Sequence, residues 1–231
     1  MASKYDSLKN RKGAIRRADV PKDVLRALNS GKLETKTLSE WLAVDLKTLL
    51  KHTLKDTGLT RQSKSILNDC RELWAKGVMD KMKGIGNLFH EQIAYNKNGS
   101  KIYDVLLHHP SDIVRTGGAY RLLANPPRPR KTRLQLSKPY AMDDNMAVRE
   151  AAWVSFRPYL EANLETSFSL LLPWAKNKNE NLRRCAVEST RPCGVWTRHF
   201  TELKEHPELG QTLLAQVKSD PSKYVRIAVG N

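Results

Sequence analysis

Asn145-Met146-Ala147-Val148-Arg149-Glu150-Ala151-Ala152 and Asn179-Glu180-Asn181-Leu182-Arg183-Arg184-Cys185-Ala186 decide the reading of the fold. Each opens on a residue that caps a helix, passes an aliphatic residue to an Arg, and continues with two small residues. Asp112-Ile113-Val114-Arg115, followed by Gly117-Gly118, precedes them with the same order. Ser222-Lys223-Tyr224-Val225-Arg226, followed by Ala228-Val229, repeats it near the end. Arg115, Arg149 and Arg183 stand 34 residues apart, and Arg226 comes 43 further on. That period suits stacked helix pairs, with the small residues letting one helix lie close against the next.

Outward from these segments the chain keeps a helical rhythm. Apolar residues recur three and four apart, as in Leu38, Trp41, Leu42, Leu46, Leu49 and Leu50, and strict alternation is rare. Thr37 with Glu40 reads as a capping box, Ser111 and Asn179 as helix caps, and Pro207 as a first-turn residue. The predicted fold is all-α, an α-solenoid of HEAT-like repeats with a concave basic face. It forms one domain over 1–231, with weaker repeats over 1–104 and clear ones over 105–231. Gly58, Gly77, Gly84 and Gly86 are expected to break helices, and Asn96-Lys97-Asn98-Gly99 to turn the chain. Asn125 to Arg133, with three prolines in four positions, is expected to be a loop.

Composition restricts the partners. The 231 residues carry 40 Lys and Arg against 24 Asp and Glu, a net charge of +16. Such a charge points to nucleic acid. From Ile113 to Met142 no acid occurs, while Arg115, Arg121, Arg128, Arg130, Lys131, Arg133 and Lys138 do. Lys9, Arg11, Lys12, Arg16 and Arg17 form a second basic cluster. A charge run is otherwise a solvated face, and a repeat Arg is otherwise a structural partner of an Asp in the next repeat. The apolar segment Leu170 to Ala175 falls far short of the roughly 20 residues of a membrane helix. The charged N-terminus does not read as a secretion signal. Cys70, Cys185 and Cys193 form no CxxC pair, and no HExxH spacing occurs. The expectation is therefore a cytoplasmic, nucleoid-associated monomer with reduced thiols and neither metal nor small-molecule cofactor.

Arg183-Arg184-Cys185-Ala186-Val187-Glu188-Ser189-Thr190-Arg191-Pro192, with Trp196 after it, resembles the central motif of the HEAT-like alkylpurine DNA glycosylases of the C type. Asn145 to Glu150 and Tyr224 to Asn231 are similar to two further segments of that family. The resemblance covers about residues 105–231 and implies excision of cationic N-alkylated bases, such as 3-methyladenine, from duplex DNA. It carries Glu188 and Trp196 over as catalytic positions, and Glu150 matches the carboxylate of the related D-type pattern. The repeat arginines Arg115, Arg149 and Arg183, with Arg184 and the acid-free loop residues Arg128, Arg130, Lys131 and Arg133, are the expected phosphate contacts. An alkylated purine is already cationic and leaves readily, so carboxylates and aromatic faces aimed at the developing sugar cation suffice.

Other readings stand beside these. Glu188 has Arg184 and Arg191 in salt-bridge spacing, Glu150 could pair with an Arg, and Trp196 could be core. Met146 replaces a D-type aromatic and Asn145 an expected C-type Glu, and a later carboxylate of the family's constellation is absent from this sequence, which leaves either a longer chain or an incomplete catalytic set as the expectation. A catalytically inactive binder of damaged or branched DNA, or a protein-interaction scaffold, remains the alternative.

Overall fold

The computed structural model describes residues 5–124, 129–160, 163–194 and 197–230. Every regular element among them is helical, and the described residues contain no strand. None of their helices is long and apolar enough to cross a membrane. The chain divides into two compact units, Met1–Arg121 and Leu122–Asn231.

The first unit carries α1 (Asp6–Lys9), α2 (Lys22–Asn29), α3 (Leu38–Ala43), α4 (Leu46–Asp56), α5 (Ser63–Asp69), α6 (Val78–Tyr95), α7 (Gly99–Leu107) and α8 (Asp112–Tyr120). α4 starts where the Asp45 carboxylate accepts hydrogen bonds from the amides of Lys47 and Thr48, at 3.0 and 3.3 Å. It buries Leu46, Leu49, Leu50 and Leu54, each contributing about 2 kcal/mol through removal from water. Gly58, at φ 78°, ends it.

Two of the expected breakers are not breaks, since Gly84 and Gly86 lie inside α6. A β-carbon on Gly86 would stand 2.6 Å from the Tyr120 carbonyl carbon, so that glycine lets the end of α8 reach the α6 backbone. Gly84 makes room for the Leu73 side chain in the same way. The capping box is also only half made. The Thr37 hydroxyl accepts from the Glu40 amide at 3.2 Å, but the buried Glu40 carboxylate turns to Arg11 Nε, at 3.1 Å, and to the Lys36 amide, at 2.8 Å. Arg11, one of the cations of the N-terminal basic cluster, is thereby an internal ion-pair partner.

The second unit carries α9 (Arg130–Ala141), α10 (Met146–Phe156), α11 (Leu164–Ala175), α12 (Glu180–Ser189), α13 (Thr201–Glu205), α14 (Gln211–Leu214) and α15 (Lys223–Gly230). α10 packs between α9 and α12, and α12 meets α11 and α15. Ala151, Ala152, Ala186 and Ala228 are buried at these approaches. The loop expected over Asn125–Arg133 is corrected over its second part. Arg130 to Arg133 belong to α9, whose first turn closes when the Arg133 amide donates to the Pro129 carbonyl at 3.1 Å. Pro129 before that turn ends the proline run without preventing the helix.

One device recurs in four places. Arg115 donates to the His109 carbonyl, Arg149 to those of Asp143 and Asp144, Arg183 to those of Asn177 and Lys178, and Arg226 to those of Asp220 and Pro221. Each Arg thus clamps the turn that leads into its own helix. In three of them an Asx side chain six residues before the Arg also accepts an amide two residues further on: Asp143 from Asn145, Asn177 from Asn179 and Asp220 from Ser222, all at 2.8 or 2.9 Å. The Arg thus satisfies carbonyls that no helix amide reaches.

Candidate active site

α10, α12 and α15 of the second unit enclose a cavity of about 170 Å³. Glu150 and Trp153 reach it from α10, Arg184 and Glu188 from α12, and Tyr224 from α15. The fold places them there by helical spacing. Glu150 and Trp153 are three apart, Arg184 and Glu188 four apart, and each pair shares one face of its helix.

The two carboxylates differ in surroundings. Glu188 is buried and both its oxygens are engaged, one by Arg184 at 2.8 Å and the other by Arg191 at 3.0 Å. Glu150 is half-buried and has no hydrogen bond or ion pair with any described residue. Burial pushes its carboxyl above the ordinary range, the Glu188 charge adds to that push, and Arg184 opposes it. A carboxylate held unpaired in a desolvated recess is an electrostatic site in waiting, since its field is not spent on a protein partner.

Tyr224 is held between two guanidinium groups. Arg184 stacks on its ring at 4.1 Å and donates to its carbonyl at 2.6 Å. Arg149 lies 5.2 Å from the ring centre and donates through Nε to the hydroxyl at 3.1 Å. Cys185 also lines the cavity, but burial pushes its thiol up to about 12, so it is no nucleophile at neutral pH.

The structure brings together Glu150, Glu188, Arg149 and Arg184 of the residues singled out in the sequence. Trp196 and Arg128 lie outside the described residues. The remaining cations of the expected phosphate set, Lys131 apart, make contacts within the protein. Arg115 is 8% exposed and pairs with Glu34. Arg133 is 2% exposed, stacks at 3.6 Å over Tyr159 and donates to the Leu122 carbonyl. Arg130 donates to the Tyr159 carbonyl at 2.8 Å, and Arg183 pairs with Asp220 at 2.6 Å. These guanidiniums are engaged within the protein, and Arg115 and Arg133 are the most deeply buried of them. Lys131 is exposed and meets no acid among the described residues.

Sequence reasoning missed Trp153 and Arg157. Trp153 stands three residues after Glu150, the spacing that shares its face, and that signal was readable. Arg157 is 1% exposed, stacks at 3.9 Å over Phe200 and donates to the carbonyls of Ser189, Arg191 and Arg198. It fastens the segment that follows α12 and carries Arg191. Nothing in its local sequence announces that role.

A 75-residue stretch is 37% identical to the "Uncharacterized protein YhaZ" of Bacillus subtilis (strain 168). It takes in 32% of this chain and 21% of that protein, so the similarity spans about a fifth of the relative's length. No family model matches the chain, and no solved structure matches it.

Proposed function

We propose that this protein is a DNA glycosylase of the HEAT-like alkylpurine type, hydrolysing the N-glycosidic bond of cationic alkylated bases in duplex DNA. The observation that carries this reading is the unpaired, half-buried Glu150 carboxylate in a cavity beside Trp153 and Tyr224. The recurring Arg clamp at the starts of α8, α10, α12 and α15 supports the solenoid of HEAT-like repeats that the family possesses.

In this reaction the bond between C1′ and the base nitrogen breaks, and its electron pair stays with the base, cancelling the positive charge there. The sugar becomes an oxocarbenium ion, which the Glu150 carboxylate stabilises. Water then adds to C1′ and gives up its proton to that carboxylate, leaving an abasic site. Glu188, committed to Arg184 and Arg191, acts as a positioning residue that fixes those guanidiniums at the cavity wall. A cavity of about 170 Å³ is smaller than the roughly 300–1,000 Å³ that encloses a drug-sized ligand, which suits approach of a sugar edge more than capture of a whole flipped nucleotide.

Base release from dimethyl sulfate-treated duplex DNA, read by mass spectrometry, tests the reading. Release of 3-methyladenine above the spontaneous rate, reduced about 100-fold in Glu150→Gln, is the expected result. DNA binding without release would instead assign the protein as an inactive binder of damaged DNA.

A further inference from the structure

The first unit contains a second concavity, of about 530 Å³, between the turn after α4 and the turn between α6 and α7. Lys55, Lys97 and Lys101 line it, and none of the three has an acidic partner among the described residues. Asp56, the acid in the lining, is already engaged, with the Lys32 ammonium at 3.4 Å and a His109 hydrogen bond at 3.3 Å on the same oxygen. Tyr95 stands on the wall at 83% exposure, the most exposed large apolar side chain among the described residues. An aromatic face so exposed to water gains free energy when a stacked partner covers it.

The turn that presents these groups is fixed. The Asn96 side chain accepts from the Asn98 amide at 2.9 Å, and the Gly99 amide donates to the Asn96 carbonyl at 2.8 Å. A β-carbon on Gly99 would collide with the Ile93 carbonyl, so only glycine closes the turn this tightly. Tyr95 and Lys97 are therefore offered from a preformed backbone, with Lys55 and Lys101 on the two helices beside it.

We propose that this concavity binds a nucleotide unit of an unpaired DNA strand, with its base stacked on Tyr95 and its phosphates held by Lys55, Lys97 and Lys101. A flat ring beside three free ammonium groups complements a base with a flanking phosphate, and stacking tolerates any base because every base has a π-face. All the residues belong to the first unit, and the proposal stands whether or not Glu150 cleaves a glycosidic bond.

The test is a fluorescence-anisotropy titration of the full chain with a labelled oligothymidylate at several salt concentrations. Tyr95→Ala weakens binding about ten-fold, while Tyr95→Phe keeps it. Lys97→Ala with Lys101→Ala lowers the salt slope by roughly 0.7 for each phosphate no longer neutralised. A strand carrying 5-bromodeoxyuridine, irradiated in the complex, cross-links to the peptide containing Tyr95. All of these side chains are on the surface, and circular dichroism verifies that the variants fold. Unchanged affinity and slope in both the Tyr95→Ala and the double lysine variants overturns the proposal. Displacement of the strand by thymidine monophosphate at equal nucleotide concentration overturns the strand assignment in favour of a free nucleotide.

Discussion

Glu150 and Glu188 face one cavity from neighbouring helices, yet they differ in the partner each has. Replacing Glu188 by Gln leaves Arg184 and Arg191 without their counter-charge in a buried place, and costs about 3 kcal/mol in urea unfolding. Glu150→Gln removes a charge that burial disfavours and leaves stability unchanged or slightly raised in the same measurement. A loss on Glu150→Gln as large as that on Glu188→Gln would contradict the assignment. Asp112 gives a sign-defined pH effect. It is fully buried, accepts from the Thr35 amide at 3.1 Å, and burial raises its carboxyl from 3.8 to about 6. Because the folded value lies above the unfolded one, its contribution to stability is complete below about 3.8 and is lost as pH rises through 6. Unfolding free energies across that window fall less steeply with pH in Asp112→Asn than in the wild type. The sequence made Glu150, Glu188 and Arg184 legible as a constellation, because helical spacing and the motif place them on facing sides. The spacing of Arg184 and Arg191 also announced the paired state of Glu188, whereas the lack of a partner for Glu150 depends on how α10 and α12 meet and was not legible.

At the scale of the element, the repeated Arg was legible and its task was half so. The pattern of capping residue, aliphatic residue and Arg marked the starts of α8, α10, α12 and α15 correctly. A guanidinium turned back to carbonyls six residues upstream leaves no local signature beyond an Asx at that position. Arg183 joins both roles, holding its own turn and pairing with Asp220 of the turn before α15. That hydrogen-bonded pair holds the Asp220 carboxyl below its ordinary range. Its contribution is therefore present above about pH 4 and disappears as pH falls through the lowered value. Asp220→Ala costs about 3 kcal/mol at neutral pH, and the difference from wild type shrinks in acid, as thermal unfolding at the two pH values measures. Gly84 and Gly86 show that a glycine inside α6 that admits a side chain or another backbone is indistinguishable in sequence from one that ends a helix.

For the whole molecule the charge of +16 overstated how much of it faces outward. The acid-free run reads as a phosphate-binding surface because its arginines have no carboxylate nearby in sequence. In the structure Arg121 and Arg133 are buried instead, with Tyr103 4.6 Å below the first guanidinium and Tyr159 3.6 Å below the second, which also donates to the Leu122 carbonyl. Arg133→Ala therefore lowers stability while leaving the salt slope of DNA binding in place. Lys131→Ala leaves stability in place and lowers that slope by about 0.9. Anisotropy titrations over a salt series, together with urea unfolding, distinguish the two. The most direct test of the central claim is the pH profile of single-turnover base release from methylated duplex DNA at saturating protein. An ionised Glu150 predicts release that rises with pH through a midpoint above the ordinary carboxyl value of 4.5 and is lost in Glu150→Gln while the DNA stays bound. Release at the same rate from both proteins, with the same profile, would contradict it.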